Sequence, residues 1–427
     1  MNLANITVEQ AIAQLNEPVK PEILAPHWDA TVKSGCGAPD FLRPDNVRRN
    51  RILSGLPPEA EASLLNAADQ ISRNPVLGLL AKHARHLLFE YDDYNQFAAW
   101  PSFEPVLGPL AGTFWLLIAI DTASKIDRLH AALGIPEPIR VATRSRFDVA
   151  EQYRLFHNGA WGFPRSSLYW LRYYLGGKLF RIGRLEYKIE PCNGQVTAWR
   201  RRKDRAVIAF APDGTIVQPD GYLHEQPPGA VAPNGWKATL VINEQYAEGC
   251  PVCPKGYVLH CIIRLDRKEW SPILQKGDWT LDMHIPPGGR MRIDKCGESM
   301  RDAFGFFNKY FPKQPCASIT CDSWIFNTQL EEILAPGANL VLFQHELYLH
   351  PTPSSGKDGF VFIFDRSDID PATAPCATSL QRAIADFTAA GNRWRKGGMF
   401  FLTDDLPCFG QQYYCRHWPP AGLNIEV

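Results

Sequence analysis

The sequence predicts an α/β chain of the α+β type: a helical N-terminal domain followed by a mixed β-sheet flanked by helices. Three observations carry that reading. Residues 1 to about 150 hold apolar positions at helical spacing, broken by Pro-rich joints at Pro57-Pro58 and at Pro136 and Pro138. From residue 178 onward the pattern shifts to short runs rich in β-branched and aromatic residues. Residues 279–311, WTLDMHIPPGGRMRIDKCGESMRDAFGFFNKYF, then read as a strand, a Pro-Gly-Gly loop and a helix.

Taken in order, the chain starts with MNLANITVEQAIAQL, an amphipathic helix in which Thr7 and Gln10 have capping-box spacing. It lacks the basic start and apolar run of a signal peptide. Helices are expected at 58–71, 75–91, 112–133, 147–159 and 166–177, the last stopped by Gly176-Gly177. The most apolar window, VLGPLAGTFWLLIAI (106–120), is bounded by Glu104 and Asp121. It is shorter than the roughly 20 residues of a spanning helix, so a buried helix is expected and no membrane span.

Strands are expected at 178–190, 204–219, 236–245 and 256–266, with Pro212-Asp213-Gly214 as a hairpin turn. After the 279–311 unit come a strand-like 317–327, a short helix at 328–334, and strands at 339–350 and 360–366. Thr378 and Gln381 again have capping-box spacing and open a helix that Gly391 ends; 399–402 is a last strand. The domains expected are 1–150, helical; 151–402, the sheet domain with inserted hairpins at about 191–260; and a tail, 403–427, with no readable pattern.

At 427 residues the chain exceeds one small core. Lysine plus arginine equals aspartate plus glutamate, 45 each, which argues against a nucleic-acid coat or an acidic-membrane binder. The eleven cysteines are an odd number without regular spacing; with no export signal they are expected to be free thiols in the cytoplasm. Cys250 and Cys253 make one C-x-x-C, which is half of a zinc site or a plain turn; no metal is expected. His83, His86 and Glu90 share a helix face and read as packing, and Arg200-Arg201-Arg202-Lys203 reads as a solvated turn.

The 279–311 unit carries the chemistry. Strand alternation sends Trp279, Leu281, Met283 and Ile285 one way and Thr280, Asp282 and His284 the other. His284 is the first candidate proton acceptor, with Asp282 placed to orient its imidazole or raise its pKa. The plain alternative is a strand-end histidine satisfied by backbone. Glu186 is the second candidate, against a salt bridge to Arg181 or Arg184. In Pro287-Gly288-Gly289-Arg290-Met291-Arg292 the glycines let a phosphate approach the backbone, Arg290 and Arg292 add charge, and a helix start follows; the alternative is a turn with solvated arginines. Cys321 and Ser323 share a face of a strand expected beside the His284 strand, which permits an acyl-cysteine.

The blocks LFRIGRLEY (179–187), HIPPGG (284–289), CDSWIFN (321–327) and TSLQRA (378–383), in this order, resemble those of a bacterial GNAT-like acyltransferase family. That family joins a helical N-terminal domain to a GNAT-like C-terminal domain. The resemblance covers about residues 165 to 402; the N-terminal part is similar only in being helical and of suitable length. It implies direct transfer of an acyl group from acyl-CoA or acetyl-CoA, as co-substrate, to an amine or similar nucleophile of a small-molecule or peptide acceptor. It further implies Gly288, Gly289, Arg290 and Arg292 at the CoA pyrophosphate and His284, Asp282 and Glu186 at proton transfer, with Cys321 serving only a covalent route. The chain departs from the family pattern in lacking the standard pyrophosphate motif and in having Arg292-Ile293 where a Thr-Pro helix start is usual. The readings to be weighed against an enzyme are a non-catalytic binding or scaffold protein on a degenerate GNAT fold, and a zinc-stabilised module around Cys250 and Cys253.

Overall fold

The computed structural model of the chain describes residues 5–35, 37–94, 96–145, 148–225 and 234–425. The first residues of the N-terminal helix pattern, Phe147 at the start of the expected 147–159 helix, and 226–233 of the inserted segment lie outside them. Contacts divide the chain into two units, Met1–Ile182 with Ile285–Gly288, and Gly183–His284 with Gly289–Val427.

The first unit is helical. Glu61–Arg73 buries Leu64, Ala67, Ala68 and Ile71, the one-face spacing of an amphipathic helix. Asn74 caps the next helix, Pro75–Glu90: its side-chain oxygen accepts from the amides of Val76 (3.0 Å) and Leu77 (3.2 Å), and Pro75 stands where a missing N–H costs nothing. Ala111–Ala132 is longer than its apolar window suggested, 22 residues, and is long and apolar enough to cross a membrane. It is nonetheless a core helix, with Phe114 through Ala123 buried in the unit. Asp121 on it accepts from Asn50 (3.0 Å) and Arg85 (2.7 Å), tying three helices together through one carboxylate. The expected Thr7–Gln10 capping box forms.

The second unit is built on a sheet whose strands run, side by side, Leu185–Pro191, Trp279–His284, Ser318–Ser323, Gly397–Leu402 and Tyr348–Pro351. Trp279–His284 and Ser318–Ser323 are parallel, joined by the helix Ile293–Tyr310; the other pairings are antiparallel. The register gives the sheet an apolar and a polar face. Tyr187, Leu281, Met283, Ile319, Met399 and Phe401 share the apolar one. The helix Ile293–Tyr310 lies against it, where Ser299 Oγ accepts from the Leu185 amide (3.3 Å) and bonds Tyr187 Oη (3.0 Å). A second sheet, in the order Tyr257–Val258, Pro251–Cys253, Val207–Phe210, Thr197–Arg201 and Trp270–Leu274, meets one end of the first. There the Tyr348 hydroxyl donates to Val252 O (2.6 Å) and accepts from the Ala209 amide (3.2 Å).

Several expected elements are corrected. Residues 339–350 are not one strand: Asn339–Glu346 is a helix, and only Tyr348–Pro351 joins the sheet. A short apolar run does not distinguish strand from buried helix, and here Gln344 anchors the helix by donating to Ile325 O (2.6 Å) and Asn327 O (3.0 Å). Residues 360–366 are also no strand. Phe360–Phe364 is a single helical turn between Gly359 (φ 83°) and Asp365 (φ 57°), both left-handed; a Cβ on Gly359 would lie 2.2 Å from Trp324. Pro212-Asp213-Gly214 does turn the chain, with Thr215 N donating to Pro212 O (3.2 Å), yet it makes no hairpin. Val207–Phe210 pairs with Thr197–Arg201 and Pro251–Cys253, whereas Ile216–Val217 pairs with Trp236–Lys237. The described part of the tail, 403–425, unreadable in sequence, packs into the second unit: Tyr414 Oη donates to Asp405 (3.0 Å) and accepts from the Leu402 amide (2.9 Å).

Candidate active site

The polar face of the main sheet lines a cavity of about 230 Å³. Strand pairing sets its side chains in rows. Glu186 stands opposite His284, and Lys188 opposite Asp282 and so, through the parallel pair, in line with Thr320. Asp322 stands opposite Gly398, which stands opposite His350. His284 and Asp322, on adjacent strands, line the same cavity, with Glu186 opposite His284 on one side and Gly398 and His350 following Asp322 on the other.

Asp282 is the hub of the next row. Its Oδ2 lies 3.1 Å from His284 Nε2 and 2.7 Å from Lys188 Nζ, and Lys188 also pairs with Glu190. Burial pushes the Asp282 pKa up, but the hydrogen bond and charge of His284 and the Lys188 ammonium outweigh it and hold the carboxyl below its usual range. Burial opposes the charge on Lys188, and Asp282 and Glu190 outweigh that, raising its pKa. Thr280 Oγ1 donates to Glu190 O (3.2 Å) or shares its proton with Thr320 Oγ1 (3.0 Å), closing the floor of the row. The strand alternation in Trp279–His284 and the place of Glu186 thus bring His284, Asp282 and Glu186 to one face.

Cys321 does not join them. The two strands are neighbours as expected, but pairing of Asp282 with Thr320 puts Cys321 at the alternate position, in register with Met399, although the residue still borders the cavity. Burial, with the charges of Asp282 and Asp322 adding to it, drives its thiol pKa far up, leaving a protonated and poorly nucleophilic sulfur.

The loop after His284 turns at its two glycines. Gly288 (φ 76°) and Gly289 (φ 70°) are both left-handed, and Gly289 O accepts from Arg184 Nη2 (3.2 Å). The helix Ile293–Tyr310 that follows has no side-chain cap. Arg290 is exposed, with no carboxylate paired to it among the described residues. Arg292 grips Asp294 through two bonds of 3.0 and 2.9 Å, so its charge is largely spent there.

The remaining motifs resolve into structure. His83 is buried, with Nδ1 on Thr31 Oγ1 (2.8 Å) and Nε2 on Leu24 O (2.9 Å). Arg200 is no solvated residue: it pairs at 2.6 Å with the buried Asp405, and Arg201 holds Asp204 and Ala421 O. Cys250 and Cys253 are buried free thiols in strand edges, and among the described residues no group of three metal-ligating side chains forms. The sequence reading missed Lys188 beside Asp282, and Asp322, Gln195 and His350 at the cavity. The alternation Glu186, Lys188, Glu190 was a usable signal for the first; the others needed the register.

A family model described as a GNAT-like C-terminal domain matches residues 179–401, more than half of the chain. No curated protein matches it. Solved structures similar to it include an acyltransferase in complex with decanoyl-CoA and teicoplanin, at 18% identity over 93% of this chain and 99% of that one, with a TM-score of 0.60. The same identity and coverage hold for an acyltransferase with CoA and 10C-teicoplanin, at a TM-score of 0.61. They hold too for a mutant acyltransferase with octanoyl-CoA, at 0.60. At this identity the likeness is one of fold, and it extends to the helical region ahead of the sheet. By the match over more than half of its length, the chain belongs to the family of proteins with a GNAT-like C-terminal domain.

Proposed function

We propose that the protein is an acyl-CoA-dependent acyltransferase that moves an acyl group to an amine by direct transfer. The observation that carries this is the His284–Asp282 pair, which ends the strand leading into the Gly288-Gly289 loop of a GNAT-like domain. The similar structures that hold decanoyl-CoA, octanoyl-CoA or CoA support a medium-length donor.

In the proposed reaction the acceptor ammonium gives a proton to His284, whose imidazolium Asp282 steadies. The amine nitrogen then bonds to the thioester carbonyl carbon, and the carbon–sulfur bond breaks. The nitrogen loses a second proton, and the CoA thiolate takes one up. The net products are an amide, CoA thiol and one released proton. Gly288, Gly289 and Arg290 would meet the pyrophosphate, with Glu186 behind His284. Cys321, protonated and on the other face, has no part. The free thiols of the chain support a cytoplasmic location.

The test is calorimetric titration of CoA, acetyl-CoA and decanoyl-CoA, with intact mass recorded afterwards. Saturable binding and an unchanged mass are expected. Failure of all three to bind would remove the acyl-CoA reading and favour a binding or scaffold protein.

A further inference from the structure

The polar face holds a second imidazole and a second carboxylate, on the strands that follow the His284 strand in the sheet. His350 and Asp322 face each other across Gly398, the residue that pairs with both. The point a Cβ on Gly398 would occupy is 2.6 Å from His350 Nε2 and 2.6 Å from Asp322 Oδ1. The two groups nonetheless form no ion pair with each other. The gap between them opens on the cavity that both line, and a nitrogen entering it from the cavity side can reach each with one hydrogen bond.

Both groups present acceptors to that gap. His350 is only 5% exposed and lines the cavity. Its Nδ1 lies 3.4 Å from Pro351 O, a carbonyl that can only accept, so in the neutral ring Nδ1 carries the proton and Nε2 the lone pair. Burial keeps the ring neutral, pushing its pKa down against the opposing charge of Asp322. Asp322 Oδ2 accepts from Gln195 Nε2 at 2.7 Å, which leaves Oδ1 for the gap. Among the described residues no lysine or arginine pairs with Asp322. Lys188, which pairs in register with Asp282, is engaged by Asp282 and Glu190.

We propose that the part of the cavity between Asp322 and His350 is the acceptor-nitrogen subsite, and that these two residues select a primary amine for it. This deepens the acyltransferase reading and rests on it for the reaction. An arriving ammonium is drawn by the Asp322 carboxylate. After one proton leaves, to His284, which lines the same cavity, a primary amine still has two N–H bonds. One is donated to Asp322 Oδ1 and the other to His350 Nε2, and the lone pair is left for the thioester carbon. A neutral secondary amine or an alcohol has one donor and, when held by Asp322, would leave the buried His350 Nε2 without a hydrogen bond. Gly398 is required because any side chain there would displace the His350 ring, whose Cε1 lies 2.1 Å from the Cβ position.

The test uses butylamine as probe, with N,N-dimethylbutylamine and butanol as controls, and follows the imidazole resonances by two-dimensional proton–nitrogen NMR. His350 is assigned by its loss in His350→Gln. Butylamine is expected to shift the His350 signals saturably. Dimethylbutylamine has the same charge with one N–H, and should bind about tenfold more weakly. Asp322→Asn, at an exposed position, should weaken butylamine to a similar degree without disturbing the other histidines. His350 signals that do not respond to butylamine, or that respond equally to the dimethyl amine, overturn the subsite. Decanoyl-CoA calorimetry on the same samples separates the two readings. Donor binding without an amine response defeats the subsite alone, and an amine response without donor binding defeats the donor reading alone.

Discussion

Lys188 Nζ lies 2.7 Å from Asp282 Oδ2, the oxygen that His284 Nε2 also reaches, so one carboxylate is shared by an ammonium and an imidazole. That sharing sets what Asp282 can do. Its charge is already half answered by Lys188, which leaves it to orient His284 and steady a proton there rather than to take the proton itself.

Asp282→Asn is therefore expected to lower kcat about 10²-fold with little change in decanoyl-CoA affinity, the signature of a lost acid–base partner. The carboxyl's pKa is depressed in the folded protein, so its contribution to stability is present above its ordinary value and is lost as pH falls through the depressed one. Wild type should lose stability in that acid range by more than the variant does. Equal acid unfolding profiles would refute the coupling.

His83 predicts a separate acid transition in the helical unit. Burial is the main cause that lowers its pKa from 6.5 to about 4. Its neutral form is favoured in the folded state, so the associated stability is fully present above about pH 6.5 and drains away as pH falls toward 4. The linkage amounts to about 3 kcal/mol. Thermal melts of wild type and His83→Gln between pH 7 and 4.5 measure it. The variant should show the shallower slope, and parallel slopes would sink the assignment.

Cys321→Ser should keep full activity, and the wild-type protein incubated with decanoyl-CoA should gain no acyl mass. Loss of turnover in the serine variant together with an acylated wild type would restore a covalent route.

The two loop arginines should differ. Arg290→Ala is expected to weaken CoA binding about tenfold, the scale of one charge-assisted contact to phosphate. Arg292→Ala should change it about twofold or less, because its guanidinium is held by Asp294. Calorimetry decides it, and equal effects would remove the distinction.

The local chemistry of the chain was legible wherever it depends on neighbours in sequence. Capping boxes at Thr7 and Thr378 form because the residues that satisfy each other are three apart. The polar face of Trp279–His284 follows from alternation alone, as does the place of Gly288 and Gly289 in a left-handed turn. The 339–346 helix was misread because an apolar run of that length satisfies either a strand or a buried helix. Only Gln344's bonds to Ile325 and Asn327 settle which.

By itself, then, the sequence determined a helical region, a GNAT-like sheet domain and a strand bearing His284 and Asp282, since each is written in local periodicity and block order. The tertiary structure alone decided which strands lie side by side and in what register. The pairing of Asp282 with Thr320 put Thr320 on the polar face and Cys321 at the alternate position. The pairing of three distant strands set Asp322, Gly398 and His350 in one row. Side chains in a sheet alternate with period two, so the face a residue takes is set by its own strand, but the residues it meets are set by partners far along the chain.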